Sequence, residues 1–231
     1  MTYFVLIASV LTGALLVQLV KDLKTNAIKL LLAFSGAYLF AISAFHLLPE
    51  IYTGDGKRIG LFLIIGFILQ IILEFFSQGI EHGHSHLHNK TVPISMLISL
   101  AIHAFLEGMP LAEVDHHGHS HAHFEDSLLT AIALHKIPVT IVLMSLFSQA
   151  GFSKTKSFVY IGIFALMTPL GALSGNLFHE LSHYHREIMA IVTGIFLHIS
   201  TTILFESTEG HKFNILKFVA ITIGSSLAWL V

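Results

Sequence analysis

Two histidines and one carboxylate, His103, Glu107 and His135, sit inside long apolar stretches of a chain whose hydrophobic segments otherwise carry little charge. An ionised side chain near the centre of a bilayer costs about 2.5 to 3.5 kcal/mol even on lenient insertion scales, so such residues need partners or a function. A divalent cation supplies both. The chain contains no cysteine, which excludes disulfides and thiolate sites and leaves nitrogen and oxygen as the only ligands for a metal.

The spacing within Ser99–Pro110 places His103 and Glu107 one above the other on one helical face, where they can share one cation. His135 lies in a second apolar run, with Pro138 three residues beyond it. A proline removes a backbone donor and loosens the helix, which a membrane tolerates where a lined cavity satisfies the freed carbonyl. Pro110 is expected to do the same in the preceding span. Three protein ligands plus water form an open coordination sphere, suited to an ion that must leave as well as arrive. Two imidazoles and a carboxylate favour zinc, iron, cobalt, nickel or cadmium over magnesium and calcium. The other intramembrane polar residues, His46, Glu74, His198 and Glu206, are expected near span ends, capping helices or pairing with one another.

The elements that must position these groups follow from composition. Of 231 residues, 54% are hydrophobic and 11% charged, and the mean hydropathy is +0.78, which describes an integral membrane protein. Eight apolar stretches near 2–20, 28–49, 59–79, 92–112, 127–148, 157–178, 187–205 and 213–231 are long enough to span a bilayer. No period-two alternation points to a barrel, so the expected class is an all-α membrane protein with eight transmembrane helices and one domain over 1–231. Met1 to Val20 lacks a basic leader and is long for a signal core, so it is expected to be a span. The net charge of −2 lies mostly in loops and does not indicate nucleic acid.

Basic loop residues divide unevenly. Lys21, Lys24, Lys29, Lys90, Lys154, Lys156, Lys212 and Lys217 fall on one side, against Lys57, Arg58 and Arg186 on the other. The positive-inside rule then puts the first set in the cytoplasm and both termini outside it. Histidine-rich loops at 81–91 and 113–126 fall on opposite faces. His82, His84, His86 and His88 are expected to face inward, and His116, His117, His119, His121 and His123 outward, as weak, exchangeable sites for auxiliary metal capture.

These residues resemble the ZIP (Zrt/Irt-like) family of divalent-metal transporters along the whole chain. Ala44-Phe45-His46-Leu47-Leu48-Pro49-Glu50 is similar to that family's His-Leu-Leu-Pro-Glu, a histidine-rich loop follows the third span, and Pro169-Leu170-Gly171-Ala172-Leu173-Ser174-Gly175 is a family-like run. The family's His-Asn-x-x-Glu-Gly appears as His103-Ala104-Phe105-Leu106-Glu107-Gly108, and its fifth-span pattern as His135-Lys136-Ile137-Pro138-Val139. The resemblance implies an inverted 3+2+3 repeat, access that alternates by movement of one bundle against another, and His103, Glu107 and His135 as metal ligands. Ala104, Lys136, Val139 and Thr168 stand where the family holds a second metal, which implies a single-metal centre. Lys136, about 100° round the helix from His135, is placed to reach Glu107 and substitute for the second ion.

The expected function is therefore transport of a divalent transition metal, zinc first, with iron, manganese or cadmium as alternatives. No organic cofactor is expected, and no Walker A loop is present, so gradients would drive the ion. The expected partners are the ion and the lipid bilayer, with a homodimer as an option; the expected location is the plasma (cell inner) membrane. Two rivals are a membrane metal sensor or binding protein that moves no ions, and an intramembrane zinc hydrolase, for which no His-Glu-x-x-His run or separate base is evident.

Overall fold

In the computed structural model, described for residues 1–20, 25–53, 56–82, 91–112, 119–178, 183–205 and 214–231, the apolar stretches are helices. α1 spans Thr2–Leu19. α2 runs Thr25–Ile42, passes through a π-helical turn at Ser43–Leu47 and ends as Leu48–Ile51. α3 spans Gly56–Ser77, α4 Ile94–Gly108, α5 His119–Gln149, α6 Lys154–Leu177, α7 His185–Phe205 and α8 Ile215–Trp229. Seven are long and apolar enough to cross a membrane, and α8 is a shorter apolar helix.

Two details differ from the sequence expectation. α5 begins at His119, inside the region read as a loop, and runs as far as Gln149. Pro110 does not kink α4. It sits in a 3₁₀ turn, Met109–Leu111, that closes the helix, where a missing N–H costs no internal bond. Pro138 and Pro169 do lie inside α5 and α6.

The helices sort into two groups. α1 packs on α5 and α6, and α4 on α6; α3 packs on α7, α8 on α2, and α2 on α7. Exchanging α1 with α6, α2 with α7, α3 with α8 and α4 with α5 maps most of these pairings onto one another, as an inverted repeat requires. The exchange is incomplete among the described residues, since α3 also packs on α4 and α2 on α5 with no comparable α8–α5 or α7–α4 contact. α5 is the most buried span and joins the groups through α2. Large apolar residues on α3, among them Leu61, Ile64, Ile68, Ile72 and Phe75, point outward, as expected of a surface solvated by lipid.

Lipid gives no hydrophobic drive between helices, so close backbone approach carries the packing. In the α4–α6 contact a Cβ on Gly171 would collide with the carbonyl oxygen of Phe105, and one on Gly108 with the backbone of Thr168. Gly171→Val is therefore expected to lose about 1–3 kcal/mol or more through overpacking. Gly162→Val, at a position with no neighbour within 4 Å, serves as the control. Thermal midpoints of the two purified variants in detergent check the difference.

Candidate metal centre

α4, α5 and α6 converge on Glu107. Its carboxylate is almost completely buried, as are His103, His135, Lys136 and Thr168. The helical register of α4 stacks His103 over Glu107, with Nε2 at 3.4 Å from Oε2. From α5, the ammonium of Lys136 forms an ion pair with Oε1 of Glu107. From α6, the Thr168 hydroxyl lies 3.1 Å from the same oxygen and 2.8 Å from the carbonyl of Ala104. The Lys136 ammonium also lies over the ring of Phe164, 4.6 Å from its centroid.

Glu107 thus meets a cation, a hydroxyl and an imidazole at one point. The prolines bracket this point. Pro138 lies two residues after Lys136 and Pro169 one after Thr168, so each helix carries a carbonyl freed from its i+4 partner one turn before its proline. Thr140, one turn below Lys136, returns its hydroxyl to the Lys136 carbonyl at 2.7 Å. Thr168→Val is expected to destabilise the protein by about 1–3 kcal/mol, because it removes the donor shared by two buried acceptors. Chemical denaturation in detergent measures it.

Lys136 reaches Glu107 from the neighbouring helix, and Ala104, Val139 and Thr168 are all buried at the positions implied for a second metal. His135 is buried on α5, but among the described residues no three His, Asp or Glu side chains form a group able to hold a metal ion. His103 and Glu107 are brought together, and His135 does not complete a ligand set with them in this arrangement, in which Lys136 takes the carboxylate.

The remaining polar residues mostly pair. The Glu74 carboxylate on α3 and the His198 imidazole on α7 meet in a hydrogen bond across 124 positions of sequence, with Phe67 edge-on to the imidazole at 4.9 Å. His46, in the π turn of α2, lies 3.2 Å from the carbonyl of Ala228 on α8. Arg58 and Glu187 join the first turns of α3 and α7 at 2.8 Å. Glu206, His84, His86, His88, His116 and His117 lie outside the described residues. His82 closes a 3₁₀ turn, and His119, His121 and His123 fall on the first turns of α5. Sequence reasoning missed Glu81, assigned to a loop but fully buried, and read Thr168 only as a lost ligand, not as a donor to Glu107.

A family model described as "ZIP Zinc transporter" matches residues 80–231, which include every residue of this cluster. Among curated proteins, zinc transporter ZIP9-B of Xenopus laevis is 27% identical over 171 residues, covering 66% of this chain and 53% of that protein. Zinc transporter ZIP9 of Micropogonias undulatus is 26% identical over 190 residues, covering 70% and 58%. Zinc transporter ZIP9 of Xenopus tropicalis is 26% identical over 171 residues, covering 66% and 53%. The chain spans a little over half the length of these relatives.

Proposed function

The chain belongs to the ZIP zinc transporter family, and from that premise we propose that it carries a divalent transition-metal ion, zinc first, through a single site between α4 and α5. Iron, manganese and cadmium are the alternative cargoes. The observation that carries this reading is the buried meeting of His103, Glu107 and Lys136 in the membrane interior. An ion arriving there displaces the Lys136 ammonium from Glu107 and gathers His103, Glu107 and, after a local shift of α5 at Pro138, His135. Neutral imidazoles and one carboxylate select a borderline cation over magnesium or calcium. Lys136 returns to Glu107 when the ion leaves, so the carboxylate does not stay uncompensated in a medium where a lone charge is costly.

The two helix groups supply the bodies that move against each other. Both termini lie outside the cytoplasm of the plasma membrane, the two histidine tracts gather the ion at either face, and no organic cofactor, nucleic acid or catalytic step takes part. Purified protein in sealed vesicles loaded with a metal-sensitive dye tests the proposal: zinc uptake that disappears in His103→Ala and His135→Ala supports it. Binding without flux would favour the second reading, a metal sensor, which the lysine at a ligand position specifically suggests. Turnover of a lipid or peptide that stops in His103→Ala would favour a hydrolase.

A further inference from the structure

α6 offers a partner to each member of the Glu107–Lys136 pair. Phe164 and Thr168, four residues apart, stand on one face of that helix in successive turns. The Thr168 hydroxyl lies 3.1 Å from Oε1 of Glu107, and the Lys136 ammonium lies 4.6 Å from the centroid of the Phe164 ring. Lys136 and Phe164 are both buried, with 2% and 5% exposure. A desolvated ammonium over an aromatic face is held more strongly than one in water.

A lysine that stayed permanently on its carboxylate would gain little from this ring. The ion pair already neutralises most of the ammonium's field, whereas a lone ammonium presents its whole charge to the negative face of the ring. The ring therefore matters most when the pair splits, which is what an incoming cation must bring about. At that depth an uncompensated charge is costly. An aliphatic side chain, of the kind that fills most of this core, would pack beside the lysine without attracting a cation. Because the ammonium already lies over the ring while it pairs with Glu107, it can release the carboxylate through its own rotamers.

We propose that Phe164 is the platform that keeps the Lys136 ammonium in the site while a metal ion holds Glu107. Lys136 then alternates between carboxylate and ring, and Phe164 is a positioning residue that sets how strongly the lysine competes with the ion. This rests on the transport reading and adds a residue to its site.

The test replaces Phe164 by trifluorophenylalanine, introduced at a reassigned stop codon, which keeps the outline of the ring and drains negative charge from its face. Zinc affinity is measured by isothermal titration on protein with both histidine tracts changed to serine. It is expected to fall about tenfold, because the displaced ammonium loses its platform and returns more readily to Glu107. With Lys136→Met in place, the same replacement should change affinity by less than about twofold, since no ammonium needs the ring. An affinity indifferent to fluorination overturns the proposal. So does an equal fall with Lys136→Met, which marks the ring as packing alone. If the parent binds no zinc at this centre, the transport reading fails and metal-free thermal midpoints decide instead. In Glu107→Gln the ammonium has lost its carboxylate, so a larger drop on fluorination there than in the parent supports the platform, and equal drops overturn it.

Discussion

Glu107→Gln is expected to abolish zinc flux and also to destabilise the metal-free protein by about 3–5 kcal/mol, the range for stripping one partner from a buried ion pair. The reason is Lys136. Its ammonium is as buried as the carboxylate it pairs with, and it also lies over the Phe164 ring. Glutamine leaves that charge in a low-dielectric interior with only a dipole to face. The double variant Glu107→Gln with Lys136→Met should recover most of the lost stability, since removing both charges of a buried pair is often neutral, while flux stays absent. Denaturation curves of the single and double variants form a cycle that isolates the pair. A single variant as stable as the parent would mean that the ion pair contributes nothing to the fold.

Lys136→Met by itself should act in the opposite sense on the metal. An incoming cation no longer has to break the Lys136–Glu107 pair before it reaches the carboxylate, so equilibrium zinc affinity is expected to rise about tenfold or more, each tenfold being worth about 1.4 kcal/mol. Transport should slow all the same. The ion is held more tightly, and after release Glu107 has no resident cation to accompany it while the helices reset. Isothermal titration gives the affinity and vesicle uptake the rate; weaker binding together with faster uptake would reverse the role assigned to the lysine.

The site was legible in the sequence wherever one helix fixes the geometry. The four-residue spacing of His103 and Glu107 sets their common face, and the 100° step from His135 to Lys136 brought the ammonium within reach of Glu107. Among the described residues each of the eight apolar runs lies in a helix, because nothing but a helix satisfies the backbone in lipid without closing a barrel. Contacts between distant segments were not legible. The pairing of Glu74 with His198 depends on how α3 and α7 lie together, and the Thr168 hydroxyl reaches Glu107 only because Gly108 and Gly171 let α4 and α6 approach closely.

Glu81 was hidden for a different reason. Its burial depends on the left-handed pair Gln78–Gly79, and the only sequence signal was a glycine just past the end of an apolar run, which reads equally as an ordinary helix stop. Pro110 was misread in the other direction: inside a helix a proline kinks it, just past the end it closes it, and a boundary shift of two residues decides between them.

Anomalous diffraction or electron cryomicroscopy of the zinc-loaded protein, with both histidine tracts changed to serine, tests the central claim most directly. The expected result is one ion between α4 and α5, bound by His103, Glu107 and His135, with the Lys136 ammonium moved away from the carboxylate. An intact Lys136–Glu107 pair with the ion bound elsewhere, or two ions side by side at that level, would contradict it.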